Sequence, residues 1–387
     1  MDLLDAVIRR DNDLQRFATH LYKSIVLPAT KKIAIESPKI TADIPGATKS
    51  EYKQKQREFT KFVGAVYSDM WADVNAEYKA MTGDELAYTD ELYEDFSGEE
   101  FNIPPTDRVF ATAMNSVVVL TSNKIDSGLW EDFLKQNTLS AQKAIAGVIA
   151  QGWRDGQTAQ QMAQTLRGKY NRQSKKYQGG IIDGTLERHA KTIVRTGVSH
   201  FSNRARDSFA LENSNVILSK IFFATLDNRT TQICLSLHQN EYTIKDKKAP
   251  ELPLHYNERS VYVFKTKSLD PRKLTRPVVS GRKGKAAAER FDARQERTNK
   301  KVKYKGRKDS DIFDVEQISG KVTAEQWLKR QPDWFIESSL GGVTKARLFK
   351  EGGLPIKSMV DLQNRPLSLA QLRETADGEA AFRRAGL

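Results

Sequence analysis

The sequence of 387 residues predicts a predominantly α-helical protein of the α+β class. Apolar residues recur at three- and four-residue spacing through most of the first 170 residues, which is the period of an amphipathic helix. β-Branched and aromatic residues then concentrate between positions 217 and 264, which is typical of short strands. We therefore expect four segments: a helical region over 1–170, a small α+β module over 185–264, a basic flexible loop over 265–310 and a helical C-terminal extension over 311–387.

The helical region is predicted to open with two long amphipathic helices. An apolar stripe over 3–21 forms the first, which should end near Pro28 because proline disfavours the helical conformation of the residue before it. A second stripe over 59–74 belongs to a helix expected over 48–78. Residues 82–105 contain many acids and end in a Pro-Pro pair, so an irregular connection is expected there. Both stripes are candidate contacts for a partner protein, unless they pack within the chain's own core.

Capping signals place two more helices. Thr158 and Gln161 have the spacing of a capping box, and Thr323 and Gln326 repeat that spacing in the C-terminal extension. The polar, glycine-bearing residues 170–184 predict a loop. Further helices are expected over 106–120, 140–153 and 187–211.

The α+β module is predicted to contain a tight corner after its first strand. Asp227, Arg229 and Thr230 lie at this corner, where Asp and Thr side chains bond to nearby backbone groups and shape a turn or a helix N-cap. Asp227 and Arg229 are also a candidate ion pair across the corner. The three predicted strands cover 217–223, 241–244 and 260–264.

The positive charge is concentrated in one stretch of the chain. The sequence has 62 Lys and Arg against 49 Asp and Glu, a net charge of +13, and residues 265–308 contribute 17 cations against 4 acids. The remainder has 45 residues of each sign, so the whole excess lies in this stretch. Clustered cations displace the counterions of nucleic-acid phosphates; the alternatives are a solvated loop or one docked on an acidic protein. The predicted phosphate contacts are Arg272, Lys273, Arg276, Arg282, Lys283, Lys285, Lys300, Lys301, Lys303, Lys305, Arg307 and Lys308.

Composition and missing motifs exclude several classes of protein. A single cysteine cannot form an intramolecular disulfide, which excludes a disulfide-stapled scaffold. No run of about 18 apolar residues is present, so neither a membrane-spanning helix nor a membrane partner is expected. The first residues carry charges every few positions and lack the apolar core of a secretory signal. Walker loop, dinucleotide fingerprint and nucleophile elbow are all missing, so we predict no catalytic residue and no cofactor.

Cys234, His238 and His255 are the candidate metal ligands. A Cys-x3-His spacing suits zinc, and Asp227 or Glu258 would supply the fourth ligand. The apolar neighbours of Cys234 favour the alternative, in which the thiol is a small buried group. The two histidines are also loosely similar to those of metal-dependent nucleases, but no acidic cluster accompanies them. We therefore predict that no metal is bound.

Motifs in the second half of the chain follow a known pattern. An Arg-Thr pair in a helix precedes the Asp-x-Arg-Thr corner, a cysteine follows a few residues on, and a Pro-x-His turn comes next. The extension adds Trp-Leu-x-x-Gln, Leu-Gly and Gly-Gly-Leu runs. Together these resemble the phage head-morphogenesis family, which includes the Mu F-like minor head proteins. The residues that the resemblance marks as its structural motif are Arg195, Thr196, Asp227, Arg229, Thr230, His255 and Trp327.

The chain departs from this family at two places. The family commonly follows its Pro-x-His turn with Asn-Cys-Arg-Cys, whereas Glu258 and Ser260 stand here in place of both cysteines. Many relatives have an acid after the Arg-Thr pair, where this chain has Gly197. A site that required those cysteines is therefore not expected.

The resemblance implies a non-enzymatic minor capsid protein of a tailed phage. Its expected partners are the portal protein, the major capsid protein or both, together with packaged double-stranded DNA near the basic stretch. It would be found in the virion, in the head interior or at the portal vertex, and in the host cytoplasm during assembly. Two alternatives come from the residues alone: a metal-dependent, nuclease-like enzyme and a generic nucleic-acid-binding protein.

Overall fold

A computed structural model describes residues 2–119, 127–173, 176–283, 288–289 and 313–387. The chain is predominantly α-helical with four small antiparallel sheets in these ranges, which confirms the predicted fold class. Within them, no helix combines the length and the apolarity needed to span a membrane.

The first helical segment does not end near Pro28, contrary to prediction. Helix α1 (Leu3–Leu21) runs through a π-helical turn (Tyr22–Val26) directly into α2 (Leu27–Thr41), where Pro28 occupies the first turn. In the widened turn the Leu27 N–H donates to the Tyr22 carbonyl. Proline has no N–H to donate and its ring crowds the carbonyl four residues earlier, so a wider turn is a way to keep the helix continuous past it.

Helix α3 (Lys49–Ser97) is a single element of 49 residues, so the irregular connection predicted from position 82 is wrong as far as residue 97. Its length is about 73 Å at 1.5 Å per residue. Acids are numerous between residues 82 and 97, but Leu86 and Tyr93 are buried on one face of the helix. The helix begins at a Thr48–Glu51 capping box and ends where Gly98 adopts φ 68°, a left-handed conformation that favours glycine.

The rest of the helical region contains two short hairpins that the sequence did not predict. The helix expected over 106–120 stops at Met114, because the β-branched run that follows forms a strand. A second hairpin, which starts at Lys169, overlaps the predicted loop 170–184. The capping box at Thr158 is confirmed. The elements are α4 (Thr106–Met114), β1 (Val117–Val119), β2 (Ser127–Leu129), α5 (Trp130–Arg154), α6 (Ala159–Arg167), β3 (Lys169–Asn171), β4 (Lys176–Gln178), a π-helical turn (Ile182–Leu186) and α7 (Glu187–Glu212).

The α+β module contains the three predicted strands. They form one antiparallel sheet with β5 at its centre, and Ile221 faces Glu241 on one side and Val263 on the other. A short helix follows the corner after β5. The elements are β5 (Ser219–Phe223), α8 (Gln232–Leu237), β6 (Glu241–Tyr242) and β7 (Val261–Lys265).

The predicted basic loop over 265–310 is wrong for its first part. Strand β8 (Thr275–Gly281) follows a 3-10 turn (Pro271–Lys273) and pairs along its whole length with β9 (Phe313–Ser319). Its alternate residues Arg276 and Val278 are buried, so this segment joins the core despite its charge. Residues 284–287 and 290–310 of the predicted loop lie outside the described residues.

The C-terminal extension is helical after β9, as predicted. Its first helix starts at the Thr323–Gln326 capping box. The elements are α9 (Ala324–Lys329), α10 (Asp333–Leu340), α11 (Val343–Lys350), a 3-10 turn (Ile356–Met359), α12 (Leu369–Glu374) and α13 (Ala376–Arg384).

Two buried clusters hold these elements together. The first joins the long helices of the N-terminal region and contains most of the apolar stripe 59–74. The second joins the sheet around β5, the C-terminal extension and the first turns of α1. Helix α7 contributes Phe201 to the first cluster and Phe209 to the second, so it passes through both. Because the two predicted stripes lie in these cores, they are not available as partner contacts.

His200 is a fully buried histidine at the centre of the first cluster. Its Nε2–H donates to the Ala113 carbonyl at 2.9 Å, and its ring stacks on Trp130 with centroids 5.9 Å apart. Burial is the main cause that lowers the pKa of His200 to about 3. The ring is therefore neutral in the folded chain, whereas it would be protonated below about pH 6.5 in the unfolded chain.

We expect this histidine to make the fold sensitive to acid. A depressed folded-state pKa means that the unfolded chain binds the extra proton, so stability is lost as pH falls below about 6.5. At pH 4.5 the loss from this group is about 2–3 kcal/mol. His200→Gln keeps an amide N–H for Ala113 but does not titrate, so urea unfolding should show a smaller loss between pH 7 and pH 4.5. His189→Gln, at an exposed position of α7, should retain the wild-type loss; equal losses in all three proteins would contradict the expectation.

Candidate functional site: a buried cysteine, histidine and glutamate

The first turn of α8 positions Cys234. Thr231 is the N-cap, and its hydroxyl oxygen accepts from the Cys234 N–H at 3.4 Å. Because Ile233 and Leu235 are buried on either side, this short helix is fixed in the core and the thiol is only 2% exposed. The corner that precedes α8 therefore determines where the sulfur lies.

The turn before β7 positions the other two side chains. His255 Nδ1 lies 3.0 Å from the Tyr256 carbonyl oxygen, to which it donates, and Asn257 adopts a left-handed φ of 59°. The turn closes when the Glu258 N–H donates to the His255 carbonyl at 3.2 Å. Glu258 Oε1 then accepts from the backbone N–H groups of the next two residues, at 3.0 and 2.9 Å. These bonds hold the carboxylate in one orientation.

Three side chains converge at this place: Cys234, His255 and Glu258, which we call the Cys-His-Glu centre. Cys234 Sγ lies 3.2 Å from His255 Nε2, and both Glu258 carboxylate oxygens lie 3.4 Å from Sγ. His255 Nε2 and Glu258 Oε2 are 3.0 Å apart. Glu258 is 1% exposed and the His255 side chain 12%, so the centre is almost closed to solvent. Burial, with Glu258 beside it, raises the pKa of the Cys234 thiol well above its usual value.

The geometry differs from that of a nucleophilic triad. In such a triad one imidazole nitrogen faces the nucleophile, and the acid orients the ring through the other nitrogen. Here the thiol and the carboxylate both face Nε2 of His255, while Nδ1 bonds to a backbone carbonyl. A sulfur, a nitrogen and a carboxylate oxygen that face one point are instead the donor set of a transition-metal ligand sphere.

His238 does not belong to the centre, contrary to the predicted ligand set. Its Nδ1 accepts from the Ala224 N–H at 3.2 Å, and its ring packs edge-on against Phe223 with centroids 5.5 Å apart. Burial lowers the pKa of His238 well below its usual value. Two of the three predicted candidates therefore come together, and Glu258 completes the group in place of the third.

A second cluster of polar groups forms the Asp227 corner beside the centre. Arg259 donates to both carboxylate oxygens of Asp227, at 2.5 and 2.8 Å. Although burial opposes it, the Arg259 guanidinium lowers the pKa of Asp227. The Arg229 N–H and the Thr230 hydroxyl also donate to Asp227 Oδ1, at 2.8 and 3.1 Å. The predicted Asp227–Arg229 ion pair is long, at 3.7 Å, and Arg259 is the partner that the sequence did not identify.

Other residues of the predicted structural motif lie apart from this corner. Arg195 and Thr196 lie in the middle of α7, where the Thr196 hydroxyl donates to the Thr192 carbonyl at 2.9 Å. Trp327 of α9 is 1% exposed and packs edge-on against Phe335, with ring centroids 5.5 Å apart. Thr196 and Trp327 are buried within the helical parts of the fold, whereas Asp227, Thr230 and His255 share one corner.

One predicted phosphate contact is wrong, because its side chain is used inside the fold. Arg276 is completely buried and donates to the Ala224 carbonyl at 2.7 Å. Arg272 pairs with Asp270 at 3.0 Å and Glu241 at 2.9 Å, but its side chain is 30% exposed, so it stays a predicted contact. Among the others, Lys273, Arg282 and Lys283 are exposed. The remaining predicted contacts lie outside the described residues: Lys285, Lys300, Lys301, Lys303, Lys305, Arg307 and Lys308.

Comparison with known proteins adds no relative. Searches against protein-family models, curated proteins and solved structures find no match to this chain.

Proposed function

We propose that this chain is a minor head protein of a tailed phage that acts in head morphogenesis. It works at or near the portal, through contacts with the portal protein, the major capsid protein or both. The protein is made in the host cytoplasm and is built into the virion, in the head interior or at the portal vertex. A basic segment contacts the packaged DNA.

The observation that carries the proposal is the convergence of motif residues that are distant in sequence. Asp227, Thr230, Cys234 and His255 come from two separate segments and meet in one buried corner. The thiol and the Asp227 carboxylate are only 2% and 5% exposed. Because these motif residues are buried, we assign them a structural role. The proposed function then depends on contacts made by the protein surface, as the resemblance implies.

The charge that supports DNA contact now lies in a shorter segment. The cations between 265 and 281 include Arg272 and Arg276, which have partners within the fold. Residues 282–308 still contain 12 Lys and Arg against 3 acids. This segment lies in the connection between β8 and β9. Because Gly281 at the end of β8 pairs with Phe313 at the start of β9, the connection begins and ends at the same side of the sheet. We therefore assign the proposed DNA contact to residues 282–308.

The proposed function is tested on phage particles. The chain should be detected by mass spectrometry in purified virions, and it should co-purify with the portal protein from the same genome when the two are co-expressed. The proposal is wrong if the chain is missing from virions and from procapsids. Salt-dependent DNA binding without incorporation would support a generic nucleic-acid-binding protein instead, and metal-dependent cleavage of DNA would support the nuclease-like alternative.

DNA binding by the purified chain should depend on the 282–308 segment. Replacement of Lys300, Lys301, Lys303 and Lys305 by Ala should lower the slope of log K against log salt concentration by about 0.9 for each lost phosphate contact. The control replaces four exposed lysines elsewhere, which removes the same charge from the whole molecule. Fluorescence anisotropy with duplex DNA at several salt concentrations measures both slopes, and equal slopes would exclude the segment as the contact. The control lysines are Lys53, Lys143, Lys321 and Lys357.

A further inference from the structure

We propose that the Cys-His-Glu centre binds one zinc ion, which joins α8 to the turn before β7. Cys234 Sγ, His255 Nε2 and a Glu258 carboxylate oxygen all lie within 4.8 Å of one another. The two segments that carry them are 21 residues apart at their closest, so an ion here would tie together distant parts of the module. This inference concerns a binding site and does not depend on the proposed function.

The spacing of the three atoms fits a tetrahedral ion. Bonds of about 2.0 Å to nitrogen or oxygen and about 2.3 Å to sulfur separate neighbouring ligand atoms by roughly 3.3–3.5 Å in a tetrahedron. The observed separations are 3.2 Å from Sγ to Nε2, 3.4 Å from Sγ to the carboxylate and 3.0 Å from Nε2 to Oε2. An outward shift of a few tenths of an ångström brings all three separations to these values.

The hydrogen bonds around the centre orient two of the ligands. Because His255 Nδ1 donates to the Tyr256 carbonyl, the lone pair of the neutral ring is on Nε2, the atom that faces the sulfur and the carboxylate. Glu258 Oε1 is held by two backbone N–H groups, while Oε2 points to the histidine. Such fixed outer partners are typical of metal sites, where they set the tautomer and the direction of each ligand.

A cation fits the acceptor atoms that converge at the centre. His255 Nε2 and a Glu258 carboxylate oxygen face each other at 3.0 Å, and Cys234 Sγ lies 3.2 Å from the first and 3.4 Å from the second. A divalent ion satisfies both lone pairs and stabilises the thiolate of Cys234. The centre then carries two negative ligands and one neutral ligand around a charge of +2.

The donor set favours zinc over harder cations. Thiolate and imidazole are ligands of zinc, whereas magnesium and calcium prefer oxygen alone. The fourth side is occupied by the Thr231 hydroxyl oxygen, which lies 3.1 Å from both Sγ and Nε2. Either this oxygen or a water completes four-coordination there. The small exposure of the centre indicates a structural ion.

The test uses the full-length chain and metal itself as the probe. The protein is expressed with added zinc, its bound metal is measured, and the chelated protein is then titrated with Co²⁺. We expect about one zinc per chain, a thiolate-to-cobalt absorption band in the near ultraviolet, and a lower melting temperature after chelation. A chain that is folded by circular dichroism but takes up neither zinc nor cobalt would overturn the proposal and leave the trio as a hydrogen-bonded cluster.

Variants assign the ligands. Cys234→Ser should remove the cobalt–thiolate band, and His255→Asn and Glu258→Gln should each weaken Co²⁺ binding at least about tenfold, the lower end of the loss seen for outer-shell partners. His189→Asn is the matched control, because this histidine is exposed on α7 and should leave binding unchanged. His238→Asn separates the two possible ligand sets. Loss of the cobalt band in that variant, with binding retained in Glu258→Gln, would contradict the assigned centre.

Discussion

Glu85→Ala is expected to destabilise the fold by about 3–5 kcal/mol, because it removes the carboxylate that accepts from the buried Arg206 guanidinium and leaves Asp11 as a more distant counter-charge. Glu85 of α3 is completely buried and accepts from Arg206 of α7 at 2.6 Å and from Arg10 of α1 at 2.8 Å. The Arg206 side chain is only 5% exposed, so water replaces the lost carboxylate poorly. The three charges join the three helices that pass between the two cores.

Urea unfolding measures this loss, and two further proteins separate charge from volume. Glu351→Ala breaks an exposed pair with Arg347 and should change stability by less than about 1 kcal/mol. The double variant Glu85→Leu with Arg206→Met replaces the pair by apolar groups and should recover much of the loss, since the buried guanidinium is removed together with the carboxylate that accepts from it. The electrostatic explanation would be contradicted if Glu85→Ala were as stable as the Glu351→Ala control. It would also be contradicted if the double variant were less stable than Glu85→Ala.

This network could not be predicted from the sequence. Periodicity identifies apolar faces, and it predicted the stripes that form both cores, but Glu85 belongs to an acid-rich run that indicated an irregular connection. An acid becomes a core residue only when another helix brings an arginine to it, here from position 206, 121 residues later. Arg276 shows the same limit, because its side chain is buried against the end of β5, 52 residues earlier in the chain, where the Ala224 carbonyl accepts from it.

The candidate site was predicted in part. Cys234 and His255 were identified by residue type, and the Cys-x3-His ligand spacing added His238. His238 does not join them, because α8 ends at Leu237 and His238 has a non-helical ψ of 127°. Glu258, one of the two residues considered for the fourth ligand, takes its place because the turn after His255 brings the carboxylate to the thiol and the imidazole.

Gly197→Ala is the second change with a large expected effect, a loss of about 2–3 kcal/mol. A Cβ at this position would lie 2.6 Å from the Trp130 ring and closer still to the Tyr78 hydroxyl oxygen. Neither ring can move aside easily, because Tyr78 donates to the Val194 carbonyl at 2.9 Å and Trp130 donates to Asn75 at 3.2 Å. Overpacking typically costs about 1–3 kcal/mol, and here a methyl group would have to separate α7 from two buried rings.

The opposite result is expected for Gly147→Ala, which separates the steric cause from helix propensity. Gly147 lies in the interior of α5, is exposed and has nothing within 4 Å of its added Cβ, so the variant should gain about 0.5–1 kcal/mol. Urea unfolding of both variants gives the comparison, and a stabilised Gly197→Ala would show that α7 does not pack this closely. Gly197→Glu should prevent folding altogether. The expected reason is steric, because Tyr78 of α3 and Trp130 of α5 already lie against Gly197 of α7 and leave no room for an acid side chain after the Arg-Thr pair.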